Sequence, residues 1–372
     1  MPWLRGRRWT LGGVDIAVQR ADLRMVRRFS TTAQIFCIPM RLQNRRPRPY
    51  ALFVRCLWSV AVAVVLLGCD TGGSSGGESD QDRPPFTSTS VTVQSDTLGL
   101  PGTLLVPDTS ASVPGVVVVH GSGPVDRDGQ VVGASIPPIY ERWAERMARR
   151  GLAVLRYDKR TIRPEVQQAN PRAITFLDFV QDAVAAGTLL RNRPEVDASR
   201  IVFVGHSQGG NVAPAAATRL DGVAGVASLA GAAFAVDSLF VAQLDAGGGG
   251  PNCTVDQARA QFDSLRAGRS VADGLICGAG TTFWRQWIRH TQRLDSVAAA
   301  LDPPLLAQQG RADQNYPGET LQQNLNAWGR IAQNGDAMVK TYEEVDHFFL
   351  GDGTTTTADA PLDDLIDWIR ER

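Results

Sequence analysis

The sequence predicts an α/β fold with a mostly parallel, doubly wound sheet and helices packed on both of its faces. Strand-like and helix-like segments alternate from residue 91 to the end of the 372-residue chain, which is the pattern of consecutive β-α-β units. One segment, GVVVVH at residues 115–120, is continuously apolar, as expected for a parallel strand covered on both faces. The composition, with 43% hydrophobic residues and only 5 Cys, excludes a disulfide-stapled miniprotein and a disordered chain.

Eight strands are predicted. Residues 91–93 and 98–106 are joined by a polar turn and are therefore expected to pair in antiparallel fashion. The other strands are apolar runs bounded by turn residues. They are expected at residues 115–120, 153–157, 201–204, 223–229, 304–308 and 338–342.

Five helices are predicted from apolar residues that recur every three or four positions. In the clearest case Phe176, Phe179, Val180 and Val184 share one face. The first helix is expected to stop at Gly151, because glycine commonly follows the last helical turn. The predicted helices cover residues 139–150, 175–191, 208–220, 320–332 and 362–369.

One stretch, residues 234–302, interrupts this alternation. It shows no clear strand but has helical segments, a run of four glycines and the aromatic residues Phe283, Trp284 and Trp287. An insertion at the carboxyl edge of a doubly wound sheet commonly covers the site there. The sequence therefore predicts a helical lid within a folded domain at residues 89–372, with the aromatic residues either lining a pocket or packing the lid onto the body.

The net charge of zero conceals an asymmetry between the leader and the body of the chain. Residues 1–68 carry a net charge of +10 and the remaining residues carry −10. A body this acidic is a poor ligand for nucleic acid or for an anionic membrane surface. We therefore expect no nucleic-acid partner, and the basic leader needs a separate explanation.

The leader has the pattern of a secretory signal. An Arg-rich segment at residues 41–55 precedes the apolar run CLWSVAVAVVLLG at 56–68, which is shorter than the ~20 residues of a comfortable membrane span. The sequence Leu66-Leu67-Gly68-Cys69 resembles the bacterial lipobox, in which the cysteine is lipidated. We predict a lipid anchor on Cys69 at the periplasmic face of a bacterial membrane, with a cleaved signal or an uncleaved anchor as alternatives.

Two boundaries follow from this interpretation. Residues 1–39 make the basic region too long for a signal peptide, so the true start is predicted at Met40 rather than at Met25 or Met1. Residues 69–88 are rich in Gly, Ser, Asp and Pro and are predicted to be a flexible tether.

The strongest chemical signal is the sequence Gly205-His206-Ser207-Gln208-Gly209. The G-x-S-x-G pattern alone has little specificity, and the tether matches it twice. Only Ser207 follows a predicted strand and opens a predicted helix, which is the strand–turn–helix context of a nucleophile elbow. Gly205 and Gly209 allow the sharp turn, and we predict Ser207 as the nucleophile.

A nucleophilic serine needs a base that is oriented by an acid, and in this fold class they follow in the order Ser, acid, His. Of the four histidines, His347 follows the last predicted strand, where the base belongs. The acid is predicted at Asp313, in the loop after the preceding strand. Asp346 is the alternative, although neighbouring side chains of an extended segment point in opposite directions.

Two main-chain donors should stabilise the oxyanion. One is predicted to be the N–H of Gln208, directly after the nucleophile. The other is expected from the loop His120-Gly121-Ser122-Gly123, where the glycines let amides face developing negative charge, and we assign it to the N–H of Ser122.

Together these motifs resemble a bacterial esterase family of the α/β-hydrolase superfamily, close to serine aminopeptidases and prolyl-oligopeptidase-type hydrolases. The resemblance rests on HGSGPVDRDG (120–129), LRYDKRT (155–161), RPEVDASRIVFVGHSQGGNVAP (193–214), QGRADQNYP (309–317) and DHFFLGDG (346–353). It implies an α/β-hydrolase fold, the triad Ser207–Asp313–His347 and hydrolysis of a small-molecule carboxylic ester.

Other functions remain open at this level. A peptidase or thioesterase could use the same triad, and a non-catalytic binding lipoprotein is a third possibility. An aminopeptidase would need lid carboxylates to hold a substrate ammonium group, and the lid offers six: Asp237, Asp245, Asp256, Asp263, Asp273 and Asp295.

The remaining motifs indicate no cofactor. The His and Cys residues lack the spacing of metal ligands, and no Gly-rich phosphate loop follows the first central strand, so we expect neither a metal nor a nucleotide. Cys253 and Cys277 could pair in an oxidising compartment or remain two buried thiols. Asp158-Lys159-Arg160 is expected to support the first loop, with no catalytic role.

Overall fold

The computed structural model describes residues 85–131, 136–168, 170, 172–248, 253–335, 337–351 and 354–372. The predicted leader at 1–68, the lipidation site Cys69 and most of the tether lie outside the described residues. Among the described residues, no helix has the length and apolar character needed to cross a membrane.

One eight-stranded sheet organises the described chain, in the order β1-β2-β4-β3-β5-β6-β9-β10. The pairs β1–β2 and β2–β4 are antiparallel and all other pairs are parallel. The strands of this sheet are β1 Phe86–Ser95, β2 Leu98–Pro107, β3 Val113–Val119, β4 Ala153–Tyr157, β5 Val196–His206, β6 Val223–Leu229, β9 Leu305–Gly310 and β10 Met338–Tyr342. Two short strands, β7 Leu275–Ile276 and β8 Ala279–Gly280, form a separate antiparallel pair.

Helices cover both faces of this sheet, so the predicted doubly wound α/β class is confirmed. They are α1 Ile139–Arg149, α2 Pro164–Gln168, α3 Phe176–Arg191, α4 Gly209–Ala217, α5 Val236–Gln243, α6 Val255–Arg266, α7 Thr281–Thr291, α8 Leu294–Ala299, α9 Thr320–Gln333 and α10 Asp359–Arg370. Apolar residues of α1 and α10 share one buried cluster with one face of the central strands. Those of α3, α4 and α9 pack on the other face.

The central strands are buried because their sequence leaves no polar face. All seven residues of β3 are buried, as are the last six residues of β5, which lead directly to Ser207. β5 begins at Val196, earlier than the predicted 201, because the polar residues after Val196 hide its start from a hydrophobicity pattern. The parallel strands β3 and β5 therefore end side by side at one carboxyl edge.

The insertion between β6 and β9 contains the helices α5 to α8, as predicted, and also a short β7–β8 hairpin that the sequence pattern did not show. A disulfide joins Cys253, just before α6, to Cys277 in the hairpin, with their Cα atoms 5.1 Å apart. Phe283, Trp284 and Trp287 lie on the buried face of α7. The lid is thereby cross-linked within itself and packed on the domain through aromatic residues.

Candidate active site

Ser207 lies at a sharp turn between β5 and α4. Its φ is +54°, a left-handed conformation that costs free energy for a residue other than glycine and is common at functional sites. Two main-chain hydrogen bonds hold this conformation, from the Ser207 N–H to the Leu229 carbonyl at 2.8 Å and from the Gly210 N–H to the Ser207 carbonyl at 2.9 Å. The turn therefore presents the half-buried Ser207 side chain at the carboxyl edge of the sheet.

The flanking glycines are required by space. A Cβ on Gly205 would lie 2.0 Å from the carbonyl oxygen of Gly209, and a Cβ on Gly209 would lie 2.1 Å from that of Val119. These contacts are with main-chain atoms, so no side-chain movement could relieve them. The two glycines of the G-x-S-x-G motif thus allow the start of α4 to pack directly against β3 and β5.

Asp313 and His347 meet in the buried part of the site. The His347 Nδ1 lies 3.0 and 2.9 Å from the two carboxylate oxygens of Asp313. Because an ionised carboxylate only accepts hydrogen bonds, Nδ1 carries the proton and Nε2 is left as the basic nitrogen. The Asp313 carboxylate also accepts from the Gln309 side chain at 2.8 Å and from the Asn315 N–H at 2.9 Å.

Asp346, the alternative acid, is occupied within its own loop. Its Oδ1 accepts hydrogen bonds from the N–H groups of Phe348 and Leu350, at 2.8 and 2.9 Å. This arrangement shapes the turn that carries His347. The structure therefore places Asp313, and not Asp346, against the imidazole.

Ser207 and His347 line one cavity of about 40 Å³, together with Ser122 and Gln208. The hydrogen bonds of the described residues include none donated by the main-chain N–H of Ser122 or of Gln208. A Cβ on Gly121 would lie 3.4 Å from the Ser207 Cβ, so the first loop approaches the nucleophile closely. Gly123 has a φ of +88°, which lets the loop turn away after Ser122.

Two further histidines support this site without facing solvent. Burial lowers the pKa of both His120 and His206 to about 3, so both rings are neutral at ordinary pH. His120 Nε2 donates to the Tyr157 carbonyl at the end of β4. His206 is hydrogen-bonded to the hydroxyl of Tyr140, a contact that the sequence, which placed residue 140 only in a helix, did not indicate.

The loop after Pro124 is held by ion pairs. Arg127 binds the Asp158 carboxylate through two nitrogens, each at 2.8 Å, and Arg156 pairs with Asp128. Arg127 and Asp128 are thus engaged by the end of β4, which fixes the loop beside the site.

A larger cavity of about 500 Å³ opens beside the nucleophile beneath the lid. We call it the lid cavity. It shares Ser122, Gln208 and Trp287 with the smaller cavity. Its apolar lining includes Ile174, Phe179, Phe240, Phe283, Trp284 and Trp287. The lid aromatic residues thus have both predicted roles, since they line a pocket and also pack the lid onto α3 of the body, through Phe283 on Phe179 and Trp287 on Phe176.

None of the described residues that line the lid cavity is Asp or Glu. Of the six lid carboxylates, Asp237 is fully buried and pairs with Arg266 at 2.6 Å. The other five are exposed on the outside of the lid: Asp245, Asp256, Asp263, Asp273 and Asp295. No carboxylate among them is placed to hold a substrate ammonium group in this cavity.

Comparison with known proteins places these features in a family. A curated relative, the esterase EstD of Thermotoga maritima, is 28% identical over 263 residues, which cover 69% of this chain and 60% of that protein. The esterase of Pyrobaculum calidifontis has a similar structure, with a TM-score of 0.52 and 17% identity over 78% of this chain and 87% of that one. An acylaminoacyl peptidase from Pyrococcus horikoshii has a TM-score of 0.50 and 21% identity over 72% and 39% of the two chains.

These structural neighbours show the α/β-hydrolase fold. The family profile described as serine aminopeptidase, S33, matches residues 138–354. This range includes Ser207, Asp313, His347 and the whole lid. The chain therefore belongs to the S33 serine aminopeptidase family of α/β hydrolases.

Proposed function

We propose that this protein is a carboxylic ester hydrolase that acts through an acyl-enzyme on Ser207. The proposal is carried by one arrangement: Ser207 and His347 line one cavity, and the Asp313 carboxylate binds Nδ1 of the same imidazole. In serine hydrolases a base that a buried acid orients activates the serine hydroxyl, and the arrangement supports these roles for His347 and Asp313. The relationship to an esterase from Thermotoga maritima supports it.

The chemistry follows from the positions of these groups. Nε2 of His347 accepts the proton of the Ser207 hydroxyl as its oxygen attacks the ester carbonyl carbon. The main-chain N–H groups of Ser122 and Gln208 receive the oxyanion of the tetrahedral intermediate. The imidazolium, stabilised by Asp313, then protonates the leaving alcohol, and water activated by the same base releases the acid.

The lid cavity favours an ester with an apolar group over an aminopeptide. Its volume of about 500 Å³ and its aromatic lining suit an aryl or medium-length alkyl group. An aminopeptidase must neutralise the ammonium group of its substrate, and burying that charge unpaired is costly. The cavity lining includes the amine of Lys159, which repels such a group when it is protonated.

We also propose that the enzyme is exported and held at the periplasmic face of the membrane by a lipid on Cys69. The support is the sequence alone, namely the basic segment, the short apolar run and the lipobox-like Leu66-Leu67-Gly68-Cys69. Mass spectrometry of the N-terminal peptide should find diacylglycerol on Cys69. Recovery of Cys69→Ala and wild type in the same soluble fraction would contradict the anchor.

The activity is tested with the purified full chain and a series of para-nitrophenyl esters of increasing acyl length. Wild type should hydrolyse the esters and bind a fluorophosphonate probe covalently, whereas Ser207→Ala should do neither. Ser296→Ala, on an exposed position of α8, is the matched control and should behave as wild type. Aminoacyl para-nitroanilides should be cleaved far more slowly than the esters.

Two results would contradict this proposal in different ways. Faster cleavage of aminoacyl anilides than of esters would make the protein a peptidase with the same triad. A folded wild type that neither labels nor hydrolyses any of these substrates would favour a binding protein with an idle hydrolase site.

A further inference from the structure

Lys159 is a buried cation for which the triad chemistry has no role. It lies two residues beyond the end of β4 and is only 4% exposed. Its Nζ donates to the Gly121 carbonyl oxygen and to Oε1 of the Gln208 side chain, the latter at 2.7 Å. The same ammonium lies 4.6 Å from the ring centroid of Phe179. Its three donors are therefore directed at two oxygens and one aromatic face.

Each of these two oxygens is close in the covalent structure to one of the proposed oxyanion donors, the first to the Ser122 N–H and the second to the Gln208 N–H. The Gly121 carbonyl is one half of the peptide group whose other half is the Ser122 N–H. In a trans peptide these two groups point in opposite directions. The hydrogen bond from Lys159 to the carbonyl oxygen therefore turns the Ser122 N–H away from the lysine. The positive charge of the ammonium group beside that oxygen also polarises the peptide, which makes the N–H a stronger donor.

The second contact acts on the other donor. Gln208 supplies its main-chain N–H through its position after Ser207, and Lys159 binds the end of the same residue's side chain. Gln208 is 4% exposed and is the N-cap residue of α4. Fixing its side chain restricts the turn in which its N–H lies.

We propose that Lys159 is a positioning residue that holds the Ser122 and Gln208 N–H groups in place for the oxyanion before substrate binds. This inference rests on the proposed ester hydrolysis, because it assigns a part of that same site. Such preorganised donors are worth more than donors that must be ordered during the reaction.

The charge state of Lys159 gives the inference a second readout. Burial lowers the pKa of Lys159 to about 7, and Asp182 opposes this shift. The ionisable groups around it are Asp182 with its partner Arg160, Asp158 with its partner Arg127, and the rings of His120 and Tyr157. Burial keeps the His120 ring neutral, and it keeps Tyr157 neutral by raising its pKa, so neither ring changes its charge where the Lys159 ammonium titrates.

The test compares Lys159→Met with Lys340→Met in the full-length protein. The chain contains only these two lysines, and Lys340 is a partly exposed residue paired with Asp364 at 3.0 Å. Lys159→Met should lower kcat by roughly 10- to 100-fold, below the loss for deleting a donor outright, while KM changes less than about threefold. Lys340→Met should match wild type in both constants.

The ratio of wild-type kcat to Lys159→Met kcat should also depend on pH. It should be constant below about pH 6 and should fall as the pH rises past about 7, because wild type then loses the ammonium charge that the variant never had. A lysine that only supported the fold would give a ratio independent of pH. A kcat for folded Lys159→Met within threefold of wild type, or a flat ratio, would overturn the inference.

Two further arms keep the result interpretable. If Lys159→Met does not fold, Gln208→Leu removes one Nζ acceptor but keeps the main-chain N–H, and an unchanged kcat for it would overturn the inference.

The ester hydrolysis itself is judged separately on wild type and Ser207→Ala. If wild type cleaves no ester, the rate of fluorophosphonate labelling replaces kcat in the comparison, and wild type that does not label overturns both proposals.

Discussion

The imidazole of His206 donates a 2.8 Å hydrogen bond from Nε2 to the main-chain carbonyl of His347. A carbonyl only accepts, so the proton is on Nε2 and Nδ1 is the acceptor for the Tyr140 hydroxyl, 2.8 Å away. The Tyr140 oxygen in turn accepts from the Gly121 N–H at 2.9 Å. One chain of three hydrogen bonds therefore runs from the loop of the base, through the residue before the nucleophile, to the first oxyanion loop.

Removing the middle of this chain should weaken both loops. Tyr140→Phe leaves the Gly121 N–H and His206 Nδ1 buried without their partner, which should lower the free energy of unfolding by about 2 kcal/mol. It should also lower kcat more than it raises KM, because the Gly121–Ser122 peptide loses a fixed point. Urea unfolding and steady-state kinetics measure the two effects.

A second tyrosine provides the control for this change. Tyr342 on β10 donates its hydroxyl proton to Asp364, away from the triad. Tyr342→Phe should therefore leave kcat unchanged whatever it does to stability. Equal kcat values for Tyr140→Phe and wild type would show that the hydrogen-bond chain does not position the first loop.

The role of Asp313 can be separated from that of Asp346 by matched substitutions. Asp313→Asn removes the charge that stabilises the imidazolium and can place an amide donor against Nδ1, which favours the wrong tautomer. The expected loss in kcat is about 10³- to 10⁴-fold with a small change in KM. Asp346→Asn keeps an oxygen that can accept from Phe348 and Leu350 and should retain most of the activity. A comparable loss in both variants would reject Asp313 as the specific partner.

The order of strands and loops was enough to predict which residues would meet at the carboxyl edge of the sheet. Each of Ser207, Asp313 and His347 follows a recognisable strand, and parallel strands bring such loops to the same edge. The sequence could therefore predict that Asp313 and His347 would approach each other. In the structure His347 Nδ1 lies 2.9 Å from Oδ2 of Asp313.

The supporting contacts could not be predicted in the same way. Residue 140 could be placed only within a predicted helix, and the contact of Tyr140 with His206 spans 66 positions of the chain. Lys159 could be seen to follow a strand, but which carbonyl its Nζ would reach depends on how the first loop and α4 pack. Periodicity reports which face of an element is buried, not which polar atom finds which partner.

The disulfide between Cys253 and Cys277 should stabilise the lid. Replacing both cysteines by serine removes a cross-link over a sequence separation of 24 residues and should cost about 3 kcal/mol of unfolding free energy. Cys277 lines the lid cavity, so KM for long-chain esters should rise while acetyl ester hydrolysis changes little. The chain has five cysteines, so thiol titration of the unreduced, unfolded protein should find as many free thiols in wild type as in the double serine variant. Two more free thiols in wild type would contradict the bond.

Histidines whose pKa is lowered by their surroundings should make the fold sensitive to acid, and the partly buried His290 allows one of them to be isolated. Burial, and next the charge of Arg219, lowers its pKa to about 4, whereas the unfolded chain titrates near 6.5. Between these values the unfolded state binds the extra proton, so stability is fully present above pH 6.5 and is lost as the pH falls towards 4. Near pH 5, His290 should lower the free energy of unfolding by about 1.4 kcal/mol for each unit by which the pH falls.

His290→Phe should remove this contribution and leave those of the other buried histidines in place. The ring packs against Phe176 with centroids 5.3 Å apart, so phenylalanine suits the same contact. Urea unfolding at pH 7 and pH 4.5 should show a smaller loss of stability for the variant than for wild type, by about 2 to 3 kcal/mol. Parallel losses in the two proteins would mean that His290 is already protonated in the folded state at pH 4.5.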